Sequence, residues 1–299
     1  HRDREGYGFH IHAIDALAAR GVRLIVTVDV GTVAFDAVAH AGAVGVDVIV
    51  TDHHELAKEL PDAYAILNPK IAPYPFPDLC GAGVAYKFAC ALLSKGKQLE
   101  LDAFNAIPEG WEKWLLDLAA IATVADMVPL IGENRALVFW GLQVLRKSKR
   151  PGINALCSKL RLKKEGLTEE DIGFSIAPRI NAASRMDDPE LAFKLVTTSD
   201  RDEAEMLASR LEELNDKRKG AASAIVRQAK KTVRARFRED ETVIVVGDPE
   251  WKPALLGLAA NQATYPLPAG TLETLVAAAS SAGGQPWPLS PRWVLCPSP

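Results

Sequence analysis

The sequence predicts an α/β fold: a parallel sheet flanked by helices, then a long connector helix, then the start of a second α/β domain. Three observations predict it. Apolar, β-branched runs alternate with short helical patterns over the first 70 residues, as strands buried in a parallel sheet do. The segment from Asp200 to about Arg238 has helical character, no proline and one glycine, Gly220. A strand-turn-helix pattern then restarts in TVIVVGDPEWKPALLGLAANQ, residues 242 to 262.

The elements follow in order. IHAIDALAAR, residues 11 to 20, has helical periodicity and stops at Gly21, a helix C-terminal glycine. VRLIVTVDVG reads as a buried strand ending at Asp29 and Gly31. Residues 33 to 42 read as a helix, VDVIVTDHH as a second buried strand, and AYAILNP as a shorter third closed by Asn68 and Pro69. GAGVAYKFACALL, WEKWLLDLAAIATVAD and NRALVFWGLQVLRKS carry apolar residues at three- and four-residue spacing, which marks helices. DDPELAFKLVT, residues 187 to 197, is another, with Pro189 tolerated in a first turn.

A continuous helix from 200 to 238 would run about 55 Å at 1.5 Å per residue. Its first half is acidic, and its second half carries Lys217, Arg218, Lys219, Arg227, Lys230, Lys231, Arg234, Arg236 and Arg238. A solvated helix face accounts for most of those charges. After Pro266 the chain turns to small residues and prolines with no sustained period. The expected organisation is therefore 1–199, a connector over 200–240, the start of a second domain over 241–266, and an atypical tail over 267–299. A shifted reading frame is one explanation of that tail.

Composition narrows the function classes. Of 299 residues, 48% are hydrophobic and 24% charged, and 35 basic against 38 acidic side chains leave a net charge of -3. That balance gives no global pull toward nucleic acid or anionic membrane, so any such contact needs a local patch. Cys80, Cys90, Cys157 and Cys296 form no CxxC pair and read as free thiols of a reducing, cytoplasmic setting. No apolar stretch is long enough to span a bilayer, and no basic-then-apolar start marks a signal peptide. The chain opens at His1 with text that looks like the middle of a domain, so a fragment is expected.

The chemistry concentrates at strand ends. In open parallel sheets, ligands bind beyond the carboxyl ends of the strands. Asp29 falls at one such end and Asp52, His53 and His54 at the next. Asp126, in ATVADMVPL, is a further carboxylate. Carboxylates and neutral imidazoles together suit manganese, magnesium, iron or zinc. Each residue also has a plainer reading. A lone strand-end Asp is usually a cap or turn residue. Asp126 alone would be a helix-end residue, and a lone His pair is more often structural. Asp-His-His directly after a buried strand, with a second strand-end Asp upstream, is harder to explain that way.

These motifs carry a resemblance. TDHHE, with VTVDVG upstream, resembles the DHH phosphoesterase superfamily. HRDREGYGF, VTVDVGT, IVTDHHE, LNPK, GAGVAYKF, IATVADMVPL, GENRALVFWGLQVL and APRINAASRMDDP follow in the order of its RecJ branch, the single-strand-specific DNA exonucleases. The resemblance covers residues 1 to 265, and APRINAASRM is its most specific part. It implies two divalent metal ions, Mn2+ or Mg2+, with Asp29 bridging them and His53 and Asp126 as ligands. It also implies that Asp52 supports the imidazoles, that His54 faces the scissile phosphate, and that Arg179, Asn181 and Arg185 lie near substrate phosphates. For those three the plainer reading is local bonding within a loop. The implied activity is 5′→3′ hydrolysis of single-stranded DNA in recombination and repair; no residue fixes the polarity or the oligomeric state.

Two departures bear on that expectation. The family's earlier Asp-x-Asp motif precedes the HRDREGYG segment and is not in this sequence, which leaves the metal centre short of ligands and the sheet short of a strand. EWKPALLGLAANQ resembles the opening of the DHH-associated domain without its usual His and Gly, and the glycine-rich substrate motif is absent. An impaired fragment is therefore expected. The alternatives are a DHH phosphodiesterase acting on oligoribonucleotides or cyclic dinucleotides, and a non-catalytic DHH-fold binding module.

Overall fold

Strands form where β-branched residues cluster. The computed structural model describes residues 5–236, 244–262 and 275–276. In it, LIVTV becomes β1 (Leu24–Val28), DVIVT becomes β2 (Asp47–Thr51) and AIL becomes β3 (Ala65–Leu67). They pair in parallel in the order β1-β2-β3, with Leu24 opposite Asp47 and Ile49 opposite Ala65. The two-residue period puts Ile25, Thr27, Val48, Val50 and Ile66 on one face. Helices α1 (Ile11–Ala19) and α2 (Phe35–Ala43) supply Ile14, Ala37, Val38 and Ala41 to bury it. On the other face, Leu67 meets Leu79 and Val84 at the start of α3 (Gly81–Gln98).

The parallel sheet flanked by helices is as expected, but its cover is not complete. Leu24, Val26 and Val28 share one face of β1 and remain 49%, 43% and 50% exposed. β1 is an edge strand: among the described residues no strand pairs beyond it. Its continuous apolar run predicts burial on both faces; at the sheet edge only one is buried.

The rest is helical, as the spacing predicts. After α4 (Asp102–Asn105) and a 3₁₀ turn (Trp111–Leu115) come α5 (Leu116–Ala125), α6 (Gly132–Lys147) and α7 (Pro151–Lys159). A π-helical turn (Asp171–Ile176) leads into α8 (Ala177–Met186), followed by α9 (Glu190–Thr197). Ile121, Leu145, Ile153, Leu156, Ile172, Ile176 and Leu195 form their shared core. Buried Asp117 clamps it, accepting from Leu118 N at 2.8 Å, Ser148 Oγ at 3.1 Å and Arg150 Nε at 2.8 Å.

The long helix is present as α10 (Arg201–Arg236), 36 residues. It is more than a spacer. Leu207, Ala208, Leu211 and Leu214 complete the first core, while Ile225, Ala229 and Val233 join Val246, Trp251 and Leu255 in a second. The second unit holds β4 (Ile244–Val245) and α11 (Pro253–Gln262), matching the strand-turn-helix pattern. β4 pairs in parallel with β5 (Leu275–Val276). That pair includes the one described part of the 267–299 tail, whose remainder lies outside the described residues.

Candidate metal centre

Parallel pairing sets the ends of β1 and β2 side by side. Asp29 extends the ladder by one residue, its N–H donating to the Thr51 carbonyl at 2.9 Å. It does so at φ 64°, a left-handed backbone that Asp tolerates better than most residues. Its carboxylate lies near the ring of His53: Oδ1 is 3.0 Å from Nε2. Asp126 Oδ2 is 3.6 Å from the same nitrogen. Strand end, loop and helix end thus converge on one point.

Asp126 is the C-cap of α5. A carboxylate there faces the negative end of the helix dipole, an unfavourable place unless a cation compensates. Burial raises its pKa, and the Asp29 charge adds to the rise against the opposing pull of His53. The Asp29 carboxylate raises the pKa of His53, burial opposes it, and Asp126 reinforces it.

Asp52 has a different role. It is buried at 1% exposure and pointed into the turn. Oδ2 accepts from Thr32 N at 2.9 Å; Oδ1 accepts from His53 N at 2.8 Å, from His54 N at 3.3 Å and from His54 Nδ1 at 2.7 Å. Burial alone would raise its pKa, but the Thr32 amide and the His54 ring outweigh it and hold the group at about 2. Asp52 therefore steadies the ring of His54 and only the backbone of His53, rather than both imidazoles. Asn68 Nδ2 completes the bracket, donating to Thr32 Oγ1 at 3.1 Å and to the His54 carbonyl at 3.0 Å.

The residues fit a divalent cation. The His53 contact lacks hydrogen-bond alignment, and Asp29 Oδ1 is buried without a donor. Asp29, His53 and His54 present ligand atoms within 4.8 Å of one another. The first residue of α3 backs this group: a Cβ on Gly81 would lie 2.5 Å from Asp29 Oδ1. A carboxylate-imidazole set of this kind suits manganese or magnesium among others.

APRINAASR is a helix, α8, not a loop. Four-residue spacing puts Asn181 and Arg185 on one side of it, and Arg179 points elsewhere. Arg179 gives Nε and Nη2 to Glu212 of α10 at 2.7 and 3.0 Å, and Nη1 to the Ser175 carbonyl at 3.1 Å. Asn181 is exposed, and Arg185 Nη1 donates to the Ala254 carbonyl at 2.8 Å. Sequence reasoning assigns no role to Thr32, Asn68 or Gly81. Each sits in a quoted landmark, VTVDVGT, LNPK or GAGVAYKF, and the turn residues there were the available signal.

Residues 3–123 match the DHH family, N-terminal domain. The chain is 39% identical over 263 residues to the single-stranded-DNA-specific exonuclease RecJ of Bacillus subtilis, covering 87% of this chain and 31% of that protein. It is 39% identical over 271 residues to the RecJ of Salmonella typhimurium, covering 87% of this chain and 46% of that one. The chain thus spans less than half the length of these curated relatives. A crystal structure of exonuclease RecJ bound to manganese superposes with a TM-score of 0.74 at 32% identity, over 88% of this chain and 63% of that one. RecJ from Thermus thermophilus in complex with Mn2+ gives 0.71 at 32% identity, over 85% and 36%. By sequence and by fold, this chain is similar along most of its length to the RecJ exonucleases, and its first part to the DHH family, N-terminal domain.

Proposed function

We propose that the protein is a metal-dependent exonuclease hydrolysing single-stranded DNA from the 5′ end, with two divalent ions, Mn2+ or Mg2+, at Asp29, His53 and Asp126. The observation that carries the reading is the convergence of these three side chains around a buried carboxylate oxygen without a donor. Bound divalent ions would supply water activation and charge stabilisation at the phosphate. The chain's own groups do the positioning. Asp52 accepts from His54 Nδ1, which leaves Nε2 as the nitrogen that meets substrate. Asp52 cannot drift, because three N–H groups of the turn hold it. Asn181 and Arg185 share a helix side and are assigned to phosphate contacts; Arg179 reaches that role only by sharing its Glu212 partner. The reading places the reaction in the cytoplasm, where Cys80, Cys90 and Cys157 stay free thiols. No helix of the described residues is long and apolar enough to cross a membrane.

The test uses manganese calorimetry beside cleavage of 5′-labelled single-stranded and duplex DNA. The unmodified chain, expected to be impaired, should bind manganese and cut single strands only slowly but in preference to duplex, and His53→Ala is expected to lose manganese binding and that residual cleavage together. Retention of cleavage by His53→Ala, or equal cutting of duplex, overturns the reading.

A further inference from the structure

The two halves of α10 treat their cations differently. Up to residue 219, Arg210 pairs with Asp187 at 2.6 Å and with Glu213 at 3.3 Å, Lys219 pairs with Asp216 at 3.4 Å, and Arg218 donates to Asn215 at 2.9 Å. From 217 to 238 the sequence has no Asp or Glu. There Arg227, Lys230, Lys231 and Arg234 have no acidic partner among the described residues, and together with Ala235 they line a groove of about 440 Å³. Their spacing of three, four and seven puts them on one face. The opposite face, Ile225, Ala229 and Val233, is buried against Trp251 and Leu255.

Like charges three and four residues apart on a helix repel. Arg227 with Lys231 and Lys230 with Arg234 are such pairs, with no acidic side chain among the described residues to neutralise them. We propose that this stripe is a second nucleic-acid contact, separate from the metal centre, that holds the phosphodiester backbone of single-stranded DNA. Its lining favours that partner over an acidic protein: there is no aromatic, Met or large aliphatic side chain to anchor one, and Lys is depleted in protein interfaces. It also argues against a membrane, since the apolar side of the helix is already buried in this protein. The choice of single-stranded DNA rests on the function proposed above; the cation stripe does not.

The test is fluorescence anisotropy of labelled oligothymidylate with the 299-residue chain in EDTA, so that neither metal nor cleavage contributes, over a range of salt. Each phosphate neutralised contributes a slope of about 0.7 in log K against log salt for single strands. The fourfold variant R227Q/K230Q/K231Q/R234Q is expected to lose a slope of about 3 and at least on the order of tenfold in affinity at low salt. K231Q alone is expected to lose about 0.7 of slope, which keeps the test open if the fourfold variant misfolds. Polyglutamate at matched charge is expected to compete poorly. Because EDTA removes metal and cleavage from this measurement, this proposal and the hydrolytic one fail separately. Unchanged slopes in both stripe variants, or polyglutamate competing as well as the oligonucleotide, overturn the proposal.

Discussion

Gly81→Ala tests whether α3 positions Asp29, the proposed metal ligand. The added methyl would lie 2.5 Å from Asp29 Oδ1, 2.6 Å from its Cβ and 2.7 Å from its Cγ. Ordinary contact is about 1 Å longer, so the carboxylate or the helix must move. The Asp29 backbone is tied to the Thr51 carbonyl at 2.9 Å, which leaves side-chain rotation as the easiest escape. That rotation breaks the 3.0 Å approach to His53. Overpacking of this kind costs about 1–3 kcal/mol. Disturbing a group that orients a metal ligand typically lowers affinity about 10- to 100-fold. Gly83→Ala, in the same first turn of α3, is the control. Its methyl meets Cys80 Sγ at 3.5 Å, Leu79 at 3.6 Å and Leu137 at 3.7 Å, all ordinary contacts. Ala is favoured over Gly within helices by up to about 1 kcal/mol. Urea denaturation and manganese calorimetry at neutral pH should therefore separate the two variants in sign. If Gly81→Ala matches the unmodified chain in both measurements, the α3 start does not set the position of Asp29.

Two further outcomes follow from the buried carboxylates. Asp52 is held at about 2 against an ordinary 3.8, so its ionised form stabilises the fold. The gain is about 2 kcal/mol, present above about pH 4 and lost as pH falls toward about 2. Asp52→Asn should be less stable by about that amount at neutral pH in urea denaturation, and the gap should close over the same acid window; a gap that stays constant through that window refutes the account. Arg150→Met leaves Asp117 buried without its charged partner, although Ser148 and Leu118 still donate to it. A loss of about 3 kcal/mol is expected; a melting temperature unchanged within error would mean that the pair contributes nothing net.

Much of this was legible because strand ends are written in the sequence. β-branched runs ending in Asp29 and Asp52 marked both the strands and their tips, and proline-free helical spacing marked the segment that forms α10. What was not legible depends on neighbours. The exposure of Leu24, Val26 and Val28 depends on which elements pack over that face of β1, which its own apolar run does not encode. The direction of Arg179 follows from α8 being helical, which turns residues two apart to different sides and hands this one to Glu212. Gly81 looked like part of a helix pattern; its role exists only because β1 ends beneath it.

Asp29, Asp52 and Asp117 differ in one respect that bears on function. Asp52 and Asp117 are each surrounded by donors: backbone amides and the His54 ring for one, an amide, a hydroxyl and a guanidinium for the other. A buried carboxylate satisfied in that way is a structural tie, because its lone pairs are already used. Asp29 is not tied in this way: its buried Oδ1 has no donor, it sits on a left-handed backbone, and it faces a second carboxylate across His53. Under the function proposed above, that free oxygen and the two carboxylates beside one imidazole would be met by a divalent cation.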